Sequence, residues 1–237
     1  MARTDYGAIL STVIKDTSDA IREAKGTSAL ISPSDWGSEI RSIVPPWRAK
    51  VNTIIGRTAT SIVDDAPTIG AAAFYNYPAL VSVSFPCVTS IGNGAFYYCS
   101  GLTTINFPVT TIVGSNAFYS CSSLTQIEFP SATQVGAYAF GNCTKLVSAD
   151  FSDTASFESG VFLDSKKLST LILRSTSVCS LTDIRTFEGT PFASGKAGGT
   201  LYVPQALISS YRSASIWSTI LGYTNNKILS IESMENN

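Results

Sequence analysis

The chain has 237 residues, of which 44% are hydrophobic and 14% charged; this content supports a sizeable core and excludes a disordered chain or a miniature disulfide scaffold. The absence of histidine excludes mechanisms that depend on an imidazole base or on histidine-ligated zinc, so we expect no enzyme activity, no cofactor and no metal site. The 16 basic and 17 acidic residues give a formal net charge of -1 without a basic block, which disfavours a nucleic-acid partner.

Residues 1–44 are predicted to form two amphipathic helices. Apolar residues recur there at helical spacing, and Gly26 stands where the first helix would stop. Ser32–Asp35 is typical of a helix start, and Pro45–Pro46 would end the second helix. Two helices of this size have too little core to fold alone, so we predict a docking or oligomerisation module. Its apolar positions include Ile9, Val13, Ile21, Trp36 and Ile40.

No targeting or membrane segment is expected from the sequence. The residues from Met1 to Tyr6 and beyond lack the apolar core and cleavage site of a secretory signal. Although the mean hydropathy is +0.19, Ser, Thr, Gly and Asn interrupt every apolar run before it approaches the length of a membrane span.

Residues 45–68 are predicted to form a linker and a degenerate N-terminal capping repeat. Ile62 and Val63 are expected to be a short apolar strand, followed by a turn at Asp64–Pro67. This repeat would cover the upstream edge of the segment that follows.

Five copies of a 22-residue unit fill residues 69–178. Each reads approximately I-G-x-x-A-F-x-x-C-x-x-L-x-x-I-x-F-P, and the alternation at its end predicts a short strand. A single copy is too small to fold alone, so stacked copies should pair their strands in parallel around a continuous apolar interior. The cysteines at one position of this unit favour buried thiols over a disulfide framework. They are Cys99, Cys121 and Cys143.

Residues 179–237 are predicted to form a C-terminal α+β cap. We expect a strand near Leu201–Val203, a short helix over 205–214 and a closing strand over 228–231. Tyr211, Trp217 and Tyr223 would cover the last repeat, because an uncovered end exposes apolar core and strand edges. The predicted fold class is therefore a repeat solenoid of parallel strands with an N-terminal helical module and this cap.

The repeat unit resembles the BspA-type leucine-rich repeat, which is found in bacterial surface proteins and in phage proteins. The copies that carry the resemblance best are Ile91–Ile112 and Val113–Gln134, with their Ala-Phe, Cys, Leu and Phe-Pro positions. The resemblance implies a β-rich leucine-rich repeat fold.

The N-terminal segment resembles a module of phage tail and other virion proteins from gut-bacterial phages. The resemblance lies in Ser18–Glu23, Leu30–Asp35 and Ile40–Ile43. It implies that residues 1–44 bind other virion proteins or join copies of the chain into a homo-oligomer, with a trimer favoured.

Two surfaces are candidate binding sites. Arrays of this kind present outward strand side chains to partners, and polar outward rows could bind a glycan or protein or could simply be solvated. The candidate residues are Thr104, Gln126 and Ser148 in one row and Asn106, Glu128 and Asp150 in the other. The second surface is a predicted aromatic ladder of Tyr75, Tyr97 and Tyr119, with Tyr98 nearby. Such a ladder binds sugars or proteins, or only packs one coil on the next.

Glu128 and Asp150 lie one period apart, so adjacent strands should place them about 5 Å from each other. They could be two solvated carboxylates, or they could make a weak calcium or ligand contact. No other carboxylate pair in the sequence favours acid/base chemistry.

These features predict a non-enzymatic virion structural protein, a tail or head fibre or decoration protein, that presents the repeats for host attachment. It would be located in the virion and bind a host-surface protein or glycan. The alternative is a BspA-type adhesin of the bacterial cell surface.

Overall fold

The computed structural model describes residues 59–235, except residues 65, 155, 197 and 224. The chain divides into two compact units, Met1–Ala59 and Thr60–Asn237. The predicted helices of residues 1–44, with Ile9, Val13, Ile21, Trp36 and Ile40, lie outside the described residues, as does the linker up to residue 58.

The second unit is a solenoid with strands on two sides of each coil. All of its strand pairs are parallel, and the prediction of a parallel solenoid is confirmed. The strands of the first side are β1 Ser61–Val63, β3 Ser82–Ser84, β5 Thr104–Asn106, β7 Gln126–Phe129, β9 Ser148–Phe151, β11 Thr170–Leu173, β13 Thr200–Val203 and β14 Lys227–Ser230. Those of the second side are β2 Thr68–Ile69, β4 Ser90–Ile91, β6 Ile112–Val113, β8 Gln134–Val135, β10 Ser156–Phe157 and β12 Ser180–Leu181.

The first side contains two sheets, in the orders β1-β3-β5 and β14-β13-β11-β9-β7, and the second side contains one, β12-β10-β8-β6-β4-β2. Alternation within the strands turns every second side chain inward. In β1, Ile62 is therefore buried whereas Val63 is 58% exposed, so the predicted apolar strand has only one interior side chain.

Two stacks of buried phenylalanines form the core. In the first stack, neighbouring ring centroids are 5.0 to 5.9 Å apart, and the rings are Phe74, Phe96, Phe118, Phe140, Phe162 and Phe187. In the second, they are 5.8 to 6.0 Å apart, and the rings are Phe85, Phe107, Phe129 and Phe151. The first stack thus continues one coil beyond the five predicted repeats, to Phe187.

The repeated cysteines are buried and reduced, as predicted. Each thiol donates a hydrogen bond to the carbonyl of the stacked phenylalanine in the preceding coil. These bonds join Cys99 to Phe74, Cys121 to Phe96 and Cys143 to Phe118, at 3.1 to 3.2 Å. In the next coil, the Ser165 hydroxyl makes the same bond to Phe140, at 2.7 Å. In these four coils, a thiol or a hydroxyl supplies the buried donor at this position.

A thiol reagent such as dithionitrobenzoate should modify Cys87 alone in the native protein and all five cysteines in denaturant. Cys87 is exposed, whereas the other four are buried. Burial raises the pKa of Cys143 to about 12 and that of Cys121 well above its usual range, so neither forms the reactive thiolate. A Cys87→Ser variant should lose the fast reaction. More than one rapidly reacting equivalent in the native protein would contradict the packing of these thiols.

The third side of each coil is a turn segment around the stacked phenylalanine. Its amides donate to the next coil, as from Phe96 to Ala117 at 2.7 Å. The residue two positions after each of the first five phenylalanines of the first stack has a φ between 52° and 60°, in the left-handed region. These residues are Asn76, Tyr98, Ser120, Asn142 and Asp164. Asn and Asp tolerate this conformation, whereas a bulky side chain rarely adopts it.

The C-terminal segment covers the last coil. The Trp217 indole donates to the Cys179 carbonyl at 2.6 Å, and the Cys179 amide donates to the Tyr211 hydroxyl at 3.0 Å. Tyr223 is half-buried. The helices are α1 Ile208–Ser213, α2 Ser215–Leu221 and α3 Ile231–Glu235, with 3-10 turns at Ile184–Phe187 and Gln205–Leu207.

Three details of this segment differ from the sequence prediction. The helix expected over 205–214 is a 3-10 turn followed by α1, which ends because Ala214 has an extended conformation. The helix α2 was not predicted. The closing strand ends at Ser230, and Ile231 begins α3, because the Ser230 hydroxyl accepts the Ser233 amide as a helix cap does.

Candidate binding surfaces

The outward strand face brings four of its six candidate residues into direct register. Gln126 pairs with Ser148 and Glu128 with Asp150 across β7 and β9. Thr104 and Asn106 lie one coil earlier, in the other sheet of this side. Thr104, Asn106, Gln126 and Glu128 are exposed, whereas Ser148 and Asp150 are half-buried.

Hydrogen bonds along this face join successive coils. The Asn106 amide donates to the Ser84 hydroxyl at 2.9 Å, and the Ser82 hydroxyl donates to Ser61 at 2.8 Å. These bonds orient the Ser61, Ser82, Ser84 and Asn106 side chains, and the face as a whole presents hydroxyl, amide and carboxylate groups.

Glu128 and Asp150 do not form the pair of free carboxylates that the sequence allowed, because Asp150 is paired with Arg174. Arg174, from the following coil, donates to both of its oxygens at 3.1 to 3.2 Å. The guanidinium neutralises Asp150 and leaves Glu128 as the exposed charge of the pair. This geometry removes the reason for expecting a calcium contact there. Within the described ranges, no group of three or more potential metal ligands occurs.

The second outward row, which the repeat pattern predicts as far as Ile172, continues onto β13 and β14. Ile172 pairs with Tyr202, and Tyr202 pairs with Leu229, so the second outward row becomes apolar towards the C-terminal end. Leu229 is 39% exposed on β14, the edge strand of the sheet. Sequence analysis missed this continuation because β13 and β14 do not follow the 22-residue period.

The predicted tyrosine ladder is present as a stack. Tyr97 lies between Tyr75 and Tyr119, with ring centroids 5.2 and 5.1 Å apart and interplanar angles of 2° and 12°. Tyr98 stands perpendicular to this stack, 4.7 Å from Tyr97 at 85° and 6.3 Å from Tyr119 at 86°. These four residues are called the tyrosine cluster below.

The other phenol groups of the tyrosine cluster lie close enough to Tyr97 to affect its pKa. Burial raises the pKa of Tyr97, and the neighbouring phenols of Tyr98, Tyr119 and Tyr75 raise it further. The Tyr97 hydroxyl is therefore neutral, and it can donate and accept a hydrogen bond.

Tyr98 occupies a left-handed position with a φ of 60°. Equivalent positions carry Asn76, Ser120, Asn142 and Asp164, which are small and polar. For a bulky L-residue this conformation costs about 1–2 kcal/mol. Tyr98 is 46% exposed.

The segment of the chain that carries the tyrosine cluster contains no charged residue. No Lys, Arg, Asp or Glu occurs from Ala66 to Ile127, a feature that the sequence already contains. Six of the nine large apolar side chains exposed in the described part of the chain lie in this region or just before it. They are Val63, Tyr75, Val81, Tyr98, Val109 and Ile112.

Two clefts lie at the C-terminal end, and neither has the side chains of an acid/base or nucleophilic site. One, of about 530 Å³, lies between α2 and β14 and is lined by Arg212, Leu221, Lys227, Ile228 and Leu229 among others. The other, of about 170 Å³, contains the Arg185–Glu188 ion pair beside Phe192 and Tyr223. Among the described residues, no helix is long and apolar enough to cross a membrane.

Stacked parallel coils with buried leucine and phenylalanine at fixed positions define a leucine-rich repeat solenoid. The protein belongs to the BspA type leucine rich repeat family, whose model matches residues 67–190 in six copies. Solenoids of this class are typically binding scaffolds without enzyme activity. No curated protein matches the sequence significantly.

The solved structures that resemble this fold include the following two. One is a leucine-rich repeat protein from Bacteroides ovatus, with 26% identity, a TM-score of 0.54 and coverage of 73% of this chain and 42% of that one. The other is the pneumococcal vaccine antigen PcpA, with 18% identity, a TM-score of 0.56 and coverage of 73% and 41%. The chain thus spans less than half the length of these proteins, and the likeness to PcpA concerns the fold alone.

Proposed function

We propose that the protein is a non-enzymatic binding scaffold of the bacterial cell surface that attaches to a host protein or glycan through its outward strand face. The observation that carries this proposal is the ordered outward face, where Gln126, Glu128, Ser148 and Asp150 form in-register polar rows across β7 and β9. Membership of the BspA type family supports a surface role.

Of the two functions predicted from the sequence, the adhesin is better supported than the virion protein. The virion function, the virion partners and the homo-oligomer all depend on residues 1–44, which lie outside the described residues. Neither the family match nor the two solved structures support that function.

A binding assay with substitutions on two sides of the solenoid tests the outward face. We expect the full chain to bind immobilised host-cell surface extracts, and the Asn106→Lys/Glu128→Lys double variant to bind at least tenfold more weakly. Both positions are exposed on the first side, so the added charges should be tolerated by the fold but repel or displace the partner.

The matched control is Gln134→Lys, which adds a charge at an exposed position of the second side. It should bind as the unmodified chain does. An equal loss of binding in Gln134→Lys, or no binding of the unmodified chain to any host surface, would contradict the proposal.

Protease treatment of intact producing cells tests the location of the protein. We expect the protease to cleave it, because a protein on the cell surface is accessible from outside. Recovery with virus particles instead would restore the virion alternative.

A further inference from the structure

We infer that the tyrosine cluster, Tyr75, Tyr97, Tyr98 and Tyr119, is a binding site for an uncharged saccharide. This inference rests on the proposed binding function and assigns a ligand class and a second surface to it. It is supported by the open ring surface of Tyr98, by its left-handed backbone conformation and by the absence of charged residues from Ala66 to Ile127.

Tyr98 and Tyr75 are the two exposed rings of the cluster that a ligand can cover, at 46% and 45% exposure. Both faces of Tyr97 are occupied, because Tyr75 and Tyr119 stack on them at 5.2 and 5.1 Å. Tyr98 is perpendicular to Tyr97 and Tyr119, so it lies against the rims of their rings. Its exposed surface, 46% of the residue, is consequently on the side facing away from the stack. An open aromatic face beside hydroxyl groups suits the apolar C–H face and the hydroxyls of a sugar ring.

The fold does not need a tyrosine at position 98. The corresponding residues of the other coils are Asn76, Ser120, Asn142 and Asp164, and those coils form the same turns with the same left-handed φ. A bulky side chain in this conformation is strained, and strained residues concentrate at functional sites. Tyr138 is a second bulky residue with a left-handed φ, 58°, so the conformation alone does not mark a site. Tyr98 differs from Tyr138 because it lies in the tyrosine cluster and is 46% exposed.

The absence of charge selects among the possible ligands. Because no charged residue occurs from Ala66 to Ile127, an anionic sugar would find no cation in this region to pair with its carboxylate or sulfate. A protein partner would have to bring a surface free of its own charges, or desolvate them unpaired. An uncharged saccharide has neither requirement. Ser100 and Asn116 lie in the same turns and offer further donors and acceptors.

Affinity electrophoresis of the full chain tests this inference. Native gels would contain mannan, dextran or mixed-linkage β-glucan as uncharged probes, and polygalacturonate or heparin as anionic probes. We expect at least one uncharged polysaccharide to retard the protein. Tyr98→Asn should weaken that interaction at least tenfold, while its thermal midpoint stays unchanged or rises, because Asn suits the left-handed conformation.

The matched control is Tyr138→Asn. Tyr138 also has a left-handed φ, 58°, and Asn116 occupies the equivalent position one coil earlier. Its ring lies against Gly160 rather than in the tyrosine cluster. This variant should bind polysaccharide as the unmodified chain does.

Several results would overturn the inference. The inference would be wrong if none of the uncharged polysaccharides retarded the protein, or if only the anionic ones did. It would also be wrong if Tyr98→Asn were retarded as strongly as the unmodified chain. A change of molecular mass on light scattering of Tyr98→Asn would instead identify the cluster as a self-association surface and would also overturn it. Host-surface binding that persists in Tyr98→Asn, without any polysaccharide binding, would leave the proposed function standing and reject only the saccharide site. If the unmodified chain bound neither a host surface nor a polysaccharide, both proposals would be rejected.

Discussion

Replacing Phe118 with Ala should lower the free energy of unfolding by about 3–5 kcal/mol. Phe118 is fully buried at the centre of the first phenylalanine stack. Its ring is 5.1 Å from Phe96 and 5.3 Å from Phe140, and it also contacts Phe107 and Phe129 of the second stack at 5.8 and 6.0 Å. Truncation would therefore leave a cavity that none of these stacked rings can fill without leaving its own coil.

The central position of Phe118 in the solenoid increases the expected loss of stability. Each coil of a solenoid is stabilised by contacts with its two neighbours, so a cavity in a central coil weakens both interfaces at once. For a chain of this size, the loss corresponds to a fall of roughly 6–20 °C in the thermal midpoint. Urea denaturation followed by circular dichroism would measure it.

Two further variants make the Phe118 measurement specific. Phe118→Leu retains most of the apolar volume and should be destabilised less than Phe118→Ala. Thr125→Ala changes an exposed residue of the following turn, and we expect an effect within about 0.5 kcal/mol. If Phe118→Ala behaved like Thr125→Ala, the aromatic stack would not be the source of stability.

The repeat period is what made the fold predictable. Residues one period apart must stack when identical coils pair in parallel, so the phenylalanine stack, the buried cysteines and the tyrosine ladder all follow from spacing alone. The sequence also contains the signals for the features of the tyrosine cluster that were not predicted. Asn76, Asn142 and Asp164 are typical of left-handed turn positions, and they indicate the conformation that Tyr98 adopts.

Features outside the period could not be predicted in the same way. Arg174 replaces the proline that closes earlier repeats, and its long side chain reaches back to Asp150 in the preceding coil. The 22-residue spacing gives no indication of the Arg174–Asp150 contact. The break between α1 and α2 also depends on tertiary packing, because Trp217 is held by the Cys179 carbonyl and has to enter the end of the core. Such packing overrides local helix preference.

Replacing Gly92 with Ala should destabilise the protein by about 3 kcal/mol, the upper end of the usual range for overpacking. Gly92 follows β4, and its amide donates to Ile69 in the preceding coil at 2.8 Å. A Cβ at this position would lie 2.5 Å from the Ala71 nitrogen and 2.7 Å from the Gly70 carbonyl carbon. Both contacts are with backbone atoms, so no side-chain rotation can relieve them, and the two coils must separate.

The equivalent residue of the fifth coil shows what that separation involves. There Glu158 replaces glycine, and its amide bond to Val135 in the preceding coil is longer, at 3.0 Å. The Glu158 carboxylate also accepts the Ala137 amide at 2.8 Å, a bond that an alanine at position 92 could not provide. An alanine there would thus weaken the coil contact without a compensating hydrogen bond.

Gly94→Ala is the matched control for Gly92→Ala. Gly94 has a φ of 62°, but the nearest atom to an added Cβ is 3.8 Å away, and Ala72 occupies the equivalent position one coil earlier. Its effect should be about 1 kcal/mol, from backbone conformation alone. Thermal and urea denaturation of both variants would separate the two effects. If the Gly92 variant were no less stable than the Gly94 variant, the coils would tolerate a wider spacing than their backbone contacts indicate.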